Sequence, residues 1–199
     1  MIKIINSINS EPYVRFYSLY NNALDANQKN IEAIAISSFN SISGEVDSRY
    51  VNLKYIDNDN WIFFSNYNSP KALQFSDHNK ISCLIFWPKI NIQIRIKATI
   101  YVLDTTSSDN HFYLRSNEKN ALAISSDQSK IINSYDKVIQ NYNEALNKIN
   151  KKTVRPSYWG GFLFKPYSFE FWEGHKSRLN KRDVYKIKEN NWEHMIIQP

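Results

Sequence analysis

The sequence predicts a mainly β chain with helices set to one side, folded as an antiparallel barrel, closed or split. Three observations carry this reading. Residues 90–98 alternate strictly, with Ile90, Ile92, Ile94 and Ile96 on one face and Asn91, Gln93, Arg95 and Lys97 on the other, as in a strand with one face on a core. Further short β-rich runs surround it, six or more strands in all, joined by turns of hairpin type. Few segments repeat apolar residues at helical spacing, so the helices are peripheral, and closing the barrel removes exposed edges.

Residues 11–24 are expected to be helical, since Tyr13, Phe16, Tyr17, Tyr20 and Leu24 recur at helical spacing behind Glu11 and Pro12. Ile31 to Phe39 is a strand, and the Ser43-Gly44 turn leads to a second, Ser48 to Ile56. The Asp57-Asn58-Asp59-Asn60 turn leads to a third, Trp61 to Ser65. Ser69 suits a helix N-cap, with Pro70 at the first helical position. Lys80 to Pro88 is the strand before the alternating one. Residues 105–117 and 127–149 are expected to be helices, the second from the spacing of Ile131, Ile132, Tyr135, Val138, Ile139, Tyr142 and Leu146. The C-terminal part returns to β character and ends in a strand around Trp192 to Ile197. No repeat or linker divides the chain, so residues 1–199 are expected to form one domain, with residues 1–10 flexible.

Composition narrows the function. A hydrophobic content of 42% with 15% aromatic residues excludes wholesale disorder. The net charge of +6 is dispersed, with no cluster of five or more Lys and Arg, which argues against nucleic acid as a partner. There is no long apolar run for a membrane helix and no secretory leader pattern. The lone Cys83 lies in an apolar strand-like run, suits a core position, and fits a cytoplasmic setting. Hydrolase and nucleotide-binding signatures are absent, and His78, His111, His175 and His194 lack metal-ligand spacing, so no metal is expected. An organic cofactor would then supply the reactivity.

Three of the four Gly and two of the five Trp fall within Trp159-Gly160-Gly161 to Trp172-Glu173-Gly174. Such use of rare residues implies close backbone approach. The order Pro156-Ser157-Tyr158-Trp159-Gly160-Gly161-Phe162, Glu170-Phe171-Trp172, Arg178-Leu179-Asn180-Lys181-Arg182 resembles the C-terminal signature of the pyridoxamine 5'-phosphate oxidase family. The resemblance spans roughly residues 11–199 and implies an FMN-binding split β-barrel built as a homodimer, with flavin sites at the interface. Arg49-Tyr50-Val51-Asn52-Leu53-Lys54 resembles the family's flavin-contacting strand, although odd spacing puts Arg49 and Lys54 on opposite faces of an ideal strand. Phe64-Ser65-Asn66 resembles F-Y-T-N with Phe replacing Tyr, and Ser69-Pro70-Lys71-Ala72 resembles a phosphate-binding S-R-K-A in which Pro70 replaces the Arg. The resemblance further implies flavin contacts for Gln93, Trp172 and Arg182, and a reach by Gln128 and Ser129 to the partner's FMN. Singly, Arg49 and Lys54, Gln128 and Ser129, and Trp172 read better as surface or core residues; the ordered match of six motifs reverses that.

Lys54, Arg115 and Arg178 stand where the family has substrate-contacting cations, while His111 and Lys119 replace a Tyr and a Ser that bind phosphate. His111, Arg115 and Lys119 have i, i+4, i+8 spacing and would share one face of a helix, as a substrate-anion pocket or a plain solvated basic face. Arg178 and Asn180 are the candidate catalytic pair, Arg178 covering the substrate ring and Asn180, in place of a His, bonding a ring substituent. The implied reaction is hydride transfer from a phosphorylated B6 vitamer to FMN, with O2 reoxidising the flavin to yield H2O2 and pyridoxal 5'-phosphate. Two alternatives stay open: a phenazine-biosynthesis-type oxidase acting on a reduced aromatic carboxylate, and a flavin- or haem-binding split barrel without turnover.

Overall fold

The structure, a computed structural model, describes residues 1–199. Its first half comprises β1 (Lys3–Ile4), α1 (Glu11–Asp25), β2 (Ala33–Asn40), β3 (Glu45–Asn52), β4 (Tyr55–Asp57), β5 (Asn60–Asn66) and α2 (Pro70–Asp77). Its second half comprises β6 (Lys80–Trp87), β7 (Ile92–Val102), α3 (Thr105–Leu114), α4 (Asn117–Ser125), α5 (Tyr135–Lys148), β8 (Trp159–Glu173), β9 (Lys181–Lys188) and β10 (Asn191–Ile196). The ten strands make one sheet in the order β1-β4-β5-β8-β7-β6-β2-β3, with β9 and β10 branching from β8. Every pairing is antiparallel except β1 with β4.

The long strand β8 organises the molecule. Trp159 to Phe164 pair with β5, Phe162 to Glu173 with β7, and Ser168 to Glu173 with β9. The core lies inside the curled sheet and is closed by α1, whose Tyr13, Phe16 and Tyr20 are buried among Trp61, Trp87 and Phe169. Cys83 is 1% exposed, between Ile36 and Ile96 on the neighbouring strands, and burial pushes its thiol pKa up. Buried Asp183 joins α1 to the C-terminal hairpin through Arg15 at 2.8 Å and His194 at 2.9 Å.

Several expectations are corrected. The strand expected from Ser48 to Ile56 is two strands. At the break Leu53 N donates to Glu32 O and Lys54 N to Ile62 O, so the chain leaves β2 for β5. The helix expected over 105–117 stops at Leu114, with Arg115 extended at φ −83° and ψ 156°, and Ser116 starts α4, which periodicity did not reveal. The helix expected over 127–149 begins at Tyr135, where the Ser134 hydroxyl accepts from Lys137 N. Ile131 and Ile132 precede it, and no residue of α5 is buried within this chain. Residues 1–10, expected to be flexible, add β1 to the sheet and bury Ile2, whose N–H donates to the Tyr20 hydroxyl at 2.8 Å. Ile90 lies in a 3-10 turn before β7 rather than in the strand.

Candidate functional site

The close approach implied by the Gly-rich segment is made to the protein itself. A Cβ on Gly160 would collide with the Tyr67 hydroxyl, and one on Gly161 with the Leu103 side chain. The start of β8 is held from both sides: Arg155 Nη1 donates to Trp159 O at 2.5 Å while its Nε pairs with Asp109 at 2.6 Å. The Ser108 hydroxyl accepts from Gly161 N at 3.1 Å. This fixes Trp159 beside Phe64, their rings near-parallel at 14° and 5.5 Å. Trp159 and Phe64 wall a cleft of about 300 Å³ with Ser65, Asn66, Arg115 and Gln128.

A basic centre lies at each side of this cleft. In the first, Arg49 on β3 faces inward with its partner Ile36, and its guanidinium donates to Ser38 Oγ at 2.6 Å and to Gln74 Oε1 at 3.2 Å. Asp47 stands 3.8 Å from Arg49. Lys71, in the first turn of α2 and only 9% exposed, donates to Ser69 Oγ at 3.1 Å and to Gln128 Oε1 at 2.9 Å. Burial and the nearby Arg49 lower the Lys71 pKa to about 8. Gln128 also accepts from the Ser65 hydroxyl at 3.2 Å. Ser69 is fully buried, and its hydroxyl donates to Asn66 O at 2.7 Å while accepting from Lys71 Nζ. Ser129 adopts φ 71° and lines a neighbouring groove with Pro70, Gln74 and Lys130.

In the second centre the three residues expected on one helix face do gather, but by a break in the helix. Arg115 caps α3 and donates from Nη2 to Lys119 O at 2.6 Å, and its guanidinium carbon lies 4.2 Å from the Trp159 ring centroid. Its Nη1 is buried and has no hydrogen-bond partner. Burial lowers its pKa to about 10. His111 stacks on Phe64 at 3.6 Å and accepts or donates at Nδ1 with the Tyr55 hydroxyl at 2.7 Å. Burial, then Arg115, Lys54 and Lys119, lower its pKa to about 4. Lys54 belongs to this centre too, because the break between β3 and β4 removes it from the Arg49 face.

The remaining candidates lie elsewhere. Phe86, Gln93, Trp172 and Arg182 form one cross-strand row over β6, β7, β8 and β9. This row faces outward, since its flanking residues Ile92, Ile94 and Phe171 are buried. Gln93 and Arg49 are therefore on opposite faces of the sheet. Glu170, which sequence reasoning missed as a partner, holds this surface together by pairing with Arg95 at 3.2 Å and Arg182 at 2.8 Å. Arg178 at φ 64° and Asn180 lie in the loop after β8, with Asn180 Oδ1 accepting from His175 N at 3.0 Å. From Gly161, opposite Phe64, to Glu173 the strand runs roughly 40 Å along its path. Tyr55 and Gln74 were also missed; neither carries a local signal, and only the fold brings them in.

A curled antiparallel sheet with basic centres outside an aromatic core is the FMN-binding split barrel. The structure superposes on a pyridoxamine 5'-phosphate oxidase-related, FMN binding protein from Nostoc punctiforme with TM-score 0.77 at 12% identity, covering 96% of this chain and 100% of that one, a likeness of fold alone. It also matches PhzG from Burkholderia lata in complex with tetrahydrophenazine-1-carboxylic acid, with TM-score 0.89, 25% identity, and coverage of 96% and 93%. Residues 159–199 match the profile described as the pyridoxine 5'-phosphate oxidase C-terminal dimerisation region. The pyridoxine/pyridoxamine 5'-phosphate oxidase of Christiangramia forsetii is 33% identical over 195 residues, 96% of this chain and 90% of that protein. That of Aliarcobacter butzleri is 32% identical over 187 residues, 94% and 88% of the two chains. This chain belongs to the pyridoxine/pyridoxamine 5'-phosphate oxidase family. The donor set around Lys71 fits the phosphate of FMN: two cations face one carboxylate there, which leaves charge for an anion. No helix is long and apolar enough to cross a membrane.

Proposed function

We propose that this chain is an FMN-dependent oxidase of pyridoxamine or pyridoxine 5'-phosphate, active as a homodimer. The observation that carries the reading is the Arg115 guanidinium, buried against Trp159 with Nη1 unpartnered among Lys54, His111 and Lys119. A buried donor without a partner costs about 1–3 kcal/mol, and a bound phosphate would satisfy it. The first basic centre, Arg49 and Lys71 with Gln128 and Ser65, would hold the flavin phosphate. Ser69 supports that centre by fixing Lys71. FMN, when bound, would supply the hydride acceptor, with O2 as terminal oxidant giving H2O2; pyridoxine 5'-phosphate would become pyridoxal 5'-phosphate directly, and pyridoxamine 5'-phosphate with uptake of water and release of ammonia. The chain's own work is to bind the two phosphates, stack the substrate ring and exclude water.

Gln93, Trp172 and Arg182 would complete the flavin site, and Arg178 and Asn180 the substrate site, from the second copy. The support is their place on the opposite sheet face and at the far end of β8, together with the match of residues 159–199 to a dimerisation region. The lone buried thiol accords with a cytoplasmic setting.

The test is turnover. Purified protein loaded with FMN should convert pyridoxamine 5'-phosphate with equimolar H2O2. An intact flavin complex that oxidises neither vitamer would overturn the assignment. A second reading, an aromatic carboxylate as the substrate, is favoured by Asn180 and by the likeness to PhzG, and the same assay with a reduced phenazine carboxylate separates the two.

A further inference from the structure

We propose that Tyr55 is a positioning residue for substrate: its hydroxyl donates to Nδ1 of His111, which leaves the ring proton on Nε2 for donation to the bound anion. The inference rests on reading the Lys54–Arg115 pocket as the substrate-anion site. The geometry is well defined. Tyr55 opens β4, paired with Ile62 on one side and Lys3 on the other. Its ring meets His111 edge-on at 5.4 Å and 89°, while Phe64 stacks on the other ring contact of His111 at 3.6 Å and 11°. The imidazole is held in plane and in place. The 2.7 Å bond to Nδ1 is the only hydrogen bond the Tyr55 hydroxyl makes, and Nε2 makes none within the chain.

Which atom donates follows from the surroundings. The charged groups that act on His111 are Lys54 from the β3–β4 link, Arg115 from the end of α3 and Lys119 from α4, all cations, while Asp57 of β4 lines the same cleft. The cations and burial keep the ring neutral, so it carries one proton. Burial also raises the Tyr55 pKa, so the hydroxyl keeps its proton and can donate. With an anion held by the three cations, a bare Nε2 lone pair would repel it, whereas an Nε2–H would bind it. Tyr55 O–H at Nδ1 selects the second arrangement. The pocket thereby gains a fourth donor without a fourth charge, in contrast to an imidazolium, which the three cations would expel.

The experiment reads the tautomer directly. The FMN-loaded protein, labelled with 15N-histidine, is examined by NMR alone, with inorganic phosphate and with pyridoxal 5'-phosphate, the His111 signals being identified by their loss in His111→Gln. We expect the Nε2–H form in the presence of either anion. Tyr55→Phe should bring in the Nδ1–H form, weaken pyridoxal 5'-phosphate binding about three- to tenfold as for one lost neutral hydrogen bond, and act on KM rather than kcat. An Nδ1–H form in the anion-bound wild type, or unchanged affinity in Tyr55→Phe, would overturn the inference. Failure of wild type to bind pyridoxal 5'-phosphate would instead sink the vitamer reading, and the tautomer seen with inorganic phosphate would still decide the role of Tyr55.

Discussion

The two halves of β8 present opposite kinds of charge chemistry. Around its start, Arg49, Lys71, Lys54, Arg115 and Lys119 gather with only Asp47 beside Arg49 and Glu32 near Lys54 as carboxylates, Lys71 is buried and Arg115 half-buried, and one guanidinium nitrogen lacks a partner. Around its end, the cations are already matched: Arg95 and Arg182 share Glu170, and Gln93 accepts from Arg95 at 2.5 Å. The first region is charge-deficient and asks for an anion. The second is neutralised and flat, with Phe86 half exposed beside Trp172, and suits contact with a protein or ring face. Identical residue types thus serve different ends according to whether a carboxylate is built in beside them.

The sharpest way to break this contrast is to separate the halves on different chains. Arg115→Ala and Arg182→Ala should each lose most of their activity when assayed alone at substrate well below KM. If sites combine the start of one β8 with the end of another, mixing the unfolded variants and refolding them should restore about a quarter of wild-type activity, since half the dimers are mixed and each has one intact site. No recovery would place both halves of a site on one chain. Next in size are single truncations in the charge-deficient half. Lys71→Ala should weaken FMN binding about tenfold to a hundredfold, and Arg115→Ala should raise KM for the vitamer by a similar factor, each losing one charge-assisted contact. Fluorescence titration of FMN checks the first and steady-state kinetics the second; an effect of Arg115→Ala on FMN rather than on substrate would merge the two basic centres. The smallest effect is on stability. His111 has a folded pKa of about 4, below its usual value near 6.5. Between these values the unfolded chain takes up a proton that the folded chain refuses, so stability falls as pH drops from about 6.5 toward 4. Urea midpoints over that range should decline less steeply in His111→Gln than in wild type, and parallel slopes would show that His111 is not neutral in the folded protein.

What was legible in the sequence follows from locality. The alternation of Ile92, Ile94 and Ile96 and the helical spacing of Tyr13, Phe16 and Tyr20 are each satisfied by the element that carries them, and both appear as expected. The helix break at Arg115 escaped periodicity, though Ser116 offers a capping residue that marks the start of α4. The apolar positions of 131–146 repeat at helical spacing; within one chain α4 packs along α5 and leaves Val138, Tyr142 and Leu146 half-buried, while Ile139 stays 45% exposed. The candidate site residues were named in order along the chain but not placed in space. Sequence could not show that Arg49 and Gln93 face opposite ways, that Ser69 turns inward, or that Tyr55 reaches His111, since each depends on strand register or on contacts between residues far apart in the chain.

The place of Cys83 has a consequence for durability. Thiols react with peroxide as thiolates, and only when the oxidant can reach them. Under the proposed oxidase function, each turnover would release H2O2 beside the chain's own side chains. Here the chain's single sulfhydryl lies in the barrel core between Ile36 and Ile96, held in the protonated form and shut off from solvent. Catalysis would therefore leave it unmodified, and loss of activity during prolonged turnover would trace to the flavin site or to exposed Met1, not to oxidation of cysteine.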